Sequence, residues 1–256
     1  MSAEGGSGEC GDAPARPVAP HVTAFLLRRR ERARLRFGVR TLLVFAATVV
    51  LGVPFALLVV LVHERHDWLQ TLDQRVADNL HDFGRHHPAF VTAMRVVSDV
   101  GAPGMWWIPV LVAAFLLWRR GAKRPAAFAI VALGGSWLLN RLVKGAVDRT
   151  RPHLTDPFGH PAGSSFPSGH AQAVTVACGV LLVVAWPYLR APGRWIAACA
   201  AGLAVVAVSF SRVALGVHYL SDVVAAAVLG LAWLLLMTAA FTAWQHEAIG
   251  VDPDET

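Results

Sequence analysis

The sequence has few charged residues and few cysteines. Asp, Glu, Lys and Arg make up 16% of its 256 residues, whereas a soluble domain usually carries about 25%. Hydrophobic residues make up 55% and fall in long uninterrupted blocks, which excludes a set of soluble domains and indicates a membrane protein. The three cysteines, Cys10, Cys178 and Cys199, show neither a disulfide pattern nor the spacing of metal ligands.

Six apolar blocks predict an all-α fold, a bundle of six transmembrane helices. The first block runs from Thr41 to Val62 without a charge. As a helix it would be about 33 Å long, enough for a bilayer core of about 30 Å, and it is too long for a cleaved signal peptide. The other blocks lie at about 104–118, 125–142, 171–189, 195–210 and 223–244. We therefore predict three regions: a disordered and basic tail at 1–40, a membrane domain at 41–244 and a short acidic tail at 245–256.

Basic residues are unevenly distributed among the predicted loops. Fourteen of the 23 Lys and Arg residues lie in 1–40, 119–124 and 190–194. Because basic loops stay in the cytoplasm, we place both termini there, in a multi-pass cell (plasma) membrane protein. The remaining connections then face the extracytoplasmic side: 63–103, 143–170 and 211–222. The positive charge serves topology and attraction to anionic lipid, so the bilayer is an expected partner and nucleic acid is not. The sequence carries no indication of an oligomeric state.

The first outer connection, 63–103, differs from the spans. Its apolar residues recur at helical spacing with charges between them, at Trp68, Leu69, Leu72, Val76, Leu80 and Phe83. This pattern predicts one or two amphipathic helices at the outer membrane interface. His81, His86 and His87 are of a type that binds metals, but such short motifs give many false matches, so we interpret them as a solvated helix face.

Polar residues at the outer ends of three spans form three patches, where ionisable groups are costly and usually functional. The first patch is KGAVDRTRP, 144–152. If the third helix continues as far as Pro152, Lys144, Asp148 and Arg151 share one face, and the two cations suit a phosphate dianion. Taken alone, this patch is explained better by basic side chains that snorkel at a membrane edge.

The second patch is PSGH, 167–170, directly before an apolar helix. Ser168 is placed as an N-cap, Gly169 lets a ligand approach the backbone, and the free N–H groups of the first helical turn favour an anion. His170 would lie beside that anion and could donate a proton to a departing oxygen. A capped helix with an interfacial histidine is the alternative, and the four residues alone do not decide between them.

The third patch is SRVALGVHYLSD, 211–222. His218 and Asp222 are four residues apart, so in a helix the carboxylate accepts from Nδ1–H and leaves Nε2 free as a nucleophile. Arg212 adds a third cation and Ser211 a hydroxyl. Alternatively, the His–Asp pair caps the sixth span, for which Ser221 is a second candidate N-cap.

Together the three patches predict a phosphoryl-transfer site. His218, oriented by Asp222, attacks phosphorus and becomes a phosphohistidine, while His170 protonates the leaving group. The three cations stabilise charge on the transferred group. We expect no metal and no other cofactor, because Lys and Arg supply positive charge and the loops lack a carboxylate cluster suited to Mg²⁺.

The same residues resemble the type 2 phosphatidic acid phosphatase superfamily, the lipid phosphate phosphatases. The family pattern K-x6-RP, PSGH and SR-x5-H-x3-D is matched at all eleven fixed positions, in order, between Lys144 and Asp222. With 21 Arg against two Lys, the composition suggests a bacterial member. The resemblance implies His218 as nucleophile, Asp222 as its orienting group and His170 as general acid. It implies a set of phosphate ligands made of Lys144, Arg151, Ser168, Gly169 and Arg212.

The function that the resemblance implies is metal-independent dephosphorylation of a membrane lipid phosphate or diphosphate. Candidate substrates are phosphatidic acid, phosphatidylglycerol phosphate and undecaprenyl diphosphate, with a soluble phosphate ester as an alternative. Two further alternatives are a vanadate-dependent haloperoxidase-like enzyme, whose relatives are soluble, and a carrier that only binds the lipid phosphate. A carrier would need neither a histidine paired with a carboxylate nor a separate acid.

Overall fold

The computed structural model describes residues 46, 48–159 and 162–247, with side chains described as far as 242. The predicted N-terminal tail and the C-terminal tail beyond 247 lie outside these residues. The first helix, α1, is Thr48–His63. It is followed by α2 (Asp67–His86), α3 (Pro88–Val100), α4 (Pro103–Arg119), α5 (Lys123–Val147), α6 (Gly169–Ala185), a 3₁₀ turn (Trp186–Tyr188), α7 (Ala191–Ala214) and α8 (Leu220–Glu247). No strand occurs in the described ranges, so the all-helical prediction is confirmed.

Four of these helices are long and apolar enough to cross a membrane: α5, α6 with the turn that follows it, α7 and α8. The number rises to six if each of two bent pairs is one span. These pairs are α1 with α2, bent by 89°, and α3 with α4, bent by 42°. The six predicted spans are therefore the upper end of what the described helices allow.

The predicted amphipathic helices are present as α2 and α3, but the polar face of α2 was predicted wrongly. Trp68, Leu72 and Phe83 are 59%, 45% and 46% exposed, whereas Asp73 and His81 are buried. An apolar outer surface is stable against lipid, and ionisable groups at membrane depth are stabilised by facing protein partners. Asp73 and His81 are thus part of the protein interior and not of a solvated face.

Helix α6 occupies the centre of the bundle and contacts α4, α5, α7 and α8. Close approach of α5 to α8 depends on a glycine. A Cβ atom added at Gly135 would lie 2.5 Å from Cζ2 of Trp233, and the indole N–H of Trp233 donates to the carbonyl of Ala132 at 2.7 Å. This packing holds the helices that carry the three patches against one another.

The end of α5 differs from the prediction. The helix ends at Val147, and Asp148 adopts a left-handed conformation with φ 42° and ψ 51°. Its N–H donates to the carbonyl of Lys144 at 3.1 Å, which closes the last turn as a C-cap. Arg151 therefore lies in the loop between α5 and α6, and it does not share a helical face with Lys144.

Candidate active site

A cavity of about 420 Å³ opens where the three patches meet. Its lining includes residues from every patch: Lys144, Arg151, Gly169, His170, Arg212 and His218. Ser168 and Asp222 are fully buried behind this lining. Although α5 ends early, the loop after it returns Arg151 to the cavity that Lys144 reaches from the helix.

His218 and Asp222 form a close pair, in which His218 lies just before α8 and Asp222 lies within it. Nδ1 of His218 lies 3.5 Å from Oδ2 of Asp222, which is longer than a normal hydrogen bond. The expected helical i, i+4 arrangement is absent because α8 starts at Leu220. Instead, Asp222 lies in the first turn of α8, where its Oδ2 accepts the backbone N–H of Tyr219 at 2.9 Å, as in a capping box. Ser221 also lies in this turn and is not the N-cap.

Burial sets the protonation of His218. It lowers the pKa of His218 to about 4, and Arg151 and Arg212 act in the same direction, while Asp222 opposes them. The imidazole is therefore neutral at neutral pH, which is the state that can act as a nucleophile.

Arg149 holds Asp222 from the other side, and no pattern in the sequence singled it out. Its Nη1 donates to Oδ1 of Asp222 at 2.6 Å, and its Nη2 donates to Oδ2 of Asp73 at 2.8 Å. Burial alone would lower the pKa of Arg149, but Asp222 and Asp73 outweigh burial and raise that pKa above its ordinary value. The guanidinium also lies 4.2 Å from the ring centroid of Tyr219.

Asp73 connects α2 to this pair. Its Oδ1 accepts the backbone N–H of Ser221 at 3.0 Å, and the hydroxyl of Ser221 donates to its Oδ2. One pattern in the sequence indicated that Asp73 is buried. It lies four residues from both Leu69 and Ala77, so in a helix the three residues share one face, and all three are buried. A buried carboxylate requires such partners, because leaving it unpaired costs several kcal/mol.

The cations reach the cavity through backbone and hydroxyl contacts. Nζ of Lys144 donates to the carbonyl of Ser164 at 2.6 Å. Arg151 donates to the carbonyls of Gly163 at 3.1 Å and Val217, which joins the α5–α6 loop to the turn before α8. Arg212 is buried and donates to the hydroxyl of Ser98 in α3. Ser98 is a second contact that sequence patterns did not indicate.

The start of α6 has the backbone geometry expected of an N-cap. Ser168 occupies the N-cap position, but its side chain makes no capping hydrogen bond. Its buried Oγ lacks a hydrogen-bond partner within the described part of the chain. The N–H of Ser168 donates to the backbone carbonyl of Asp222 at 3.2 Å, which ties the second patch to the third.

A buried amide network forms the floor of the cavity. Nδ2 of Asn140 donates to Oε1 of Gln172 at 2.8 Å, and Nε2 of Gln172 donates to the carbonyl and hydroxyl of Ser136, each at 3.0 Å. All three residues line the cavity. Polar residues inside an apolar span were the available signal for this network.

The histidines of α2 have separate contacts. Nε2 of His81 pairs with the carbonyl of Thr155 at 2.9 Å, and its ring lies 4.7 Å from that of Phe158. His86, the last residue of α2, and His87, which follows it, are exposed and pair with the α2 carbonyls of Asp82 and Phe83. Only His86 and His87 match the solvated face that we expected. Among the described residues, no group of three His, Cys, Asp or Glu side chains is arranged to hold a metal.

Comparison with known proteins connects this site to a family. A family model described as the PAP2 superfamily matches residues 125–246. Phosphatidylglycerophosphatase B of Bacillus subtilis (strain 168) is 35% identical over 111 residues, which are 42% of this chain and 54% of that protein. The chain thus spans about half the length of that relative.

Decaprenylphosphoryl-5-phosphoribose phosphatase of Mycolicibacterium smegmatis (strain ATCC 700084 / mc(2)155) is 32% identical over 143 residues, which are 54% of this chain and 71% of that protein. The fold matches the crystal structure of a transmembrane PAP2 type phosphatidylglycerolphosphate phosphatase from Bacillus subtilis with a TM-score of 0.68 and 23% identity. That match covers 81% of this chain and 98% of the other.

Proposed function

Because this chain belongs to the PAP2 superfamily, we propose that it is a membrane enzyme that removes a phosphate group from a lipid phosphate or diphosphate. The observation that carries the proposal is the cavity in which two histidines and three cations from separate patches meet. Among the described residues, His218 is paired with a buried carboxylate and His170 is not. The names of both relatives, which are phosphatases, support the same reaction class.

The proposed reaction has two displacements at phosphorus. Nε2 of neutral His218 attacks, the bond between phosphorus and the lipid oxygen breaks, and His170 transfers a proton to that oxygen. Water then attacks the phosphorus of the phosphohistidine and passes a proton to His170. The bond between phosphorus and Nε2 of His218 breaks, so inorganic phosphate is released and His218 is regenerated. Lys144, Arg151 and Arg212 would stabilise the charge on the phosphoryl oxygens in both steps.

The setting of the cavity supports a lipid substrate. Besides its polar residues, the cavity is lined by Pro103, Trp107, Leu133 and Trp137 of α4 and α5. Trp137 is 52% exposed, so the apolar side of the cavity is continuous with the outer surface of the bundle. A lipid could keep its tail in the bilayer while its phosphate reaches His218. Phosphatidic acid, phosphatidylglycerol phosphate and undecaprenyl diphosphate remain the candidate substrates.

The test is phosphate release from a panel of these lipids by the purified full-length protein, with EDTA present. We expect release with at least one lipid, a phosphorylated histidine after acid-free quenching, and a loss of more than about 10³-fold in kcat for His218→Ala. The variant should still bind lipid. Unchanged activity in His218→Ala would contradict the mechanism. Lipid transport without hydrolysis would support a carrier, and halide oxidation with vanadate would support a haloperoxidase-like enzyme.

A further inference from the structure

The cavity contains one cation that the proposed chemistry does not use. Arg141 lines it together with Lys144, Arg151 and Arg212. No Asp or Glu is among the described lining residues. A phosphate monoester carries a charge of only about −1.5 to −2 at neutral pH. Four cations therefore exceed what a single terminal phosphate requires.

Arg141 also differs from the other cations in its contacts. Its guanidinium carbon lies 5.2 Å from the ring centroid of Trp137, one helical turn earlier in α5. Within the described residues, its guanidinium makes neither a salt bridge nor a hydrogen bond to a protein acceptor. The Trp137 ring restrains the guanidinium while leaving its N–H groups available to a ligand.

The neutral groups nearby cannot take this role. The amide nitrogens of Asn140 and Gln172 already donate to Gln172, Pro167 and Ser136. They therefore stabilise the floor of the cavity, and their N–H groups are occupied. The guanidinium of Arg141, by contrast, keeps its N–H groups available to a ligand within the described part of the chain.

The position of Arg141 says where its ligand would lie. It precedes Lys144 by three residues, which is about 4.5 Å along the axis of α5. The loop that carries Arg151 follows the C-terminal end of α5. The N-terminus of α6 lies beside Asn140, next to Arg141, since a Cβ atom added at Gly169 would be 3.5 Å from Oδ1 of Asn140. Because His170 at this N-terminus is the proposed acid for the leaving group, a group bound by Arg141 would lie on the leaving-group side of the scissile phosphate, where the lipid tail is expected.

We propose that Arg141 forms a second anion subsite, which binds a phosphate located between the scissile phosphate and the lipid tail. This inference rests on the proposed function and narrows it to substrates with two phosphates. In a lipid diphosphate the second phosphate is the one bonded to the tail. In a phosphatidyl-type substrate it is the phosphodiester. A guanidinium can bind either one with two parallel hydrogen bonds.

The experiment compares two pairs of lipids that differ in the second phosphate. One pair is a polyprenyl monophosphate and diphosphate with the same tail, and the other is phosphatidic acid and phosphatidylglycerol phosphate with the same acyl chains. Arg141→Ala should lose about 10- to 100-fold in kcat/KM for the two-phosphate member of each pair, the loss typical of one charged hydrogen-bonding group. It should lose less than about threefold for the one-phosphate member. Arg141→Lys should be intermediate, because it keeps the charge and loses the fork.

Arg194→Ala is the matched control. Arg194 lies 5.1 Å from the ring centroid of Trp186 and is not among the residues that line the cavity, so its removal should leave both ratios unchanged. Equal losses for one- and two-phosphate lipids in Arg141→Ala, or no loss, would overturn the subsite. A loss confined to one pair would show which second phosphate the subsite binds: the phosphate bonded to the tail of a lipid diphosphate, or the phosphodiester of a phosphatidyl lipid.

A binding measurement separates this inference from the proposed function. A non-hydrolysable lipid methylenediphosphonate should bind the wild-type protein at least tenfold more tightly than it binds Arg141→Ala, whether or not turnover occurs. Equal binding would overturn the subsite even in an active enzyme. If no lipid releases phosphate but the wild-type protein still binds the diphosphonate more tightly than Arg141→Ala does, the proposed reaction is overturned and the subsite stands.

Discussion

At the scale of single residues, the site depends on how the two oxygens of Asp222 are shared. Oδ1 is held by Arg149 at 2.6 Å, whereas Oδ2 accepts from the backbone of Tyr219 and faces Nδ1 of His218. Contacts other than the one with His218 therefore hold the carboxylate of Asp222 in position. His218 can be both neutral and oriented, although the chain around it is a turn and not a helix.

The pKa of His218 predicts the acid limb of the pH profile. Since attack requires the neutral imidazole and burial lowers that pKa to about 4, kcat/KM of the wild type should fall as the pH drops through about 4. Asp222 raises the pKa of His218, so Asp222→Asn should move this limb to lower pH. It should also lower kcat by about 10²- to 10⁴-fold, because the amide neither favours the reactive tautomer nor stabilises the imidazolium.

The measurement is the pH dependence of phosphate release by both proteins, with thermal unfolding as a check on folding. An acid limb near the ordinary histidine value, or one that moves to higher pH in Asp222→Asn, would contradict the assignment.

At the scale of helices, α2 supports the site through a contact that crosses the fold. Asp73 reaches Arg149 and the first turn of α8, which positions Asp222 indirectly. A segment whose sequence predicts a membrane-surface helix therefore contributes a buried carboxylate to the network behind His218, the proposed nucleophile. We regard Asp73 as a positioning residue, since it does not line the cavity.

Asp73→Asn tests that role. The substitution leaves Arg149 with one carboxylate partner, and we expect a loss of about 1–3 kcal/mol in stability. We also expect kcat to fall about tenfold with KM unchanged, because Asp73 does not line the cavity in which the lipid is proposed to bind. Asp82→Asn, an exposed carboxylate on the same helix, should leave stability, kcat and KM at wild-type values.

A result in which Asp73→Asn loses thermal stability while kcat at a temperature well below unfolding stays normal would assign Asp73 a purely structural role. A change in KM alone would place Asp73 in substrate binding. Either outcome contradicts the positioning role.

At the scale of the complete protein, the distribution of Lys and Arg predicts the orientation in the membrane. The loop around Thr155 is predicted to face outward, and the loop at Arg120 is predicted to face the cytoplasm. In a protein with Cys10 and Cys199 replaced by serine, Thr155→Cys should react with a membrane-impermeant maleimide on intact cells. Arg120→Cys should react only after permeabilisation. The reverse pattern would invert the topology and place the cavity on the cytoplasmic side.

Part of the fold could be read directly from residue types and their spacing. A bilayer demands long apolar runs, so α5 to α8 follow closely the blocks seen in the sequence. The ends of the helices were harder, because they depend on individual caps. The left-handed turn at Asp148 ended α5 four residues before Arg151, where the spacing alone had suggested a continuous helix.

The apolar pattern of the spans and the set of motif residues around the cavity could be predicted without coordinates, since both depend on residue types at short separations. The groups that support those residues could be identified only from the packing of the helices. Arg149 donates to Asp73, which is 76 positions away in the sequence, and Arg212 donates to Ser98, which is 114 positions away. Such pairs form only when separate helices pack together, and burial then gives them their strength by removing the water that would otherwise compete for each charge.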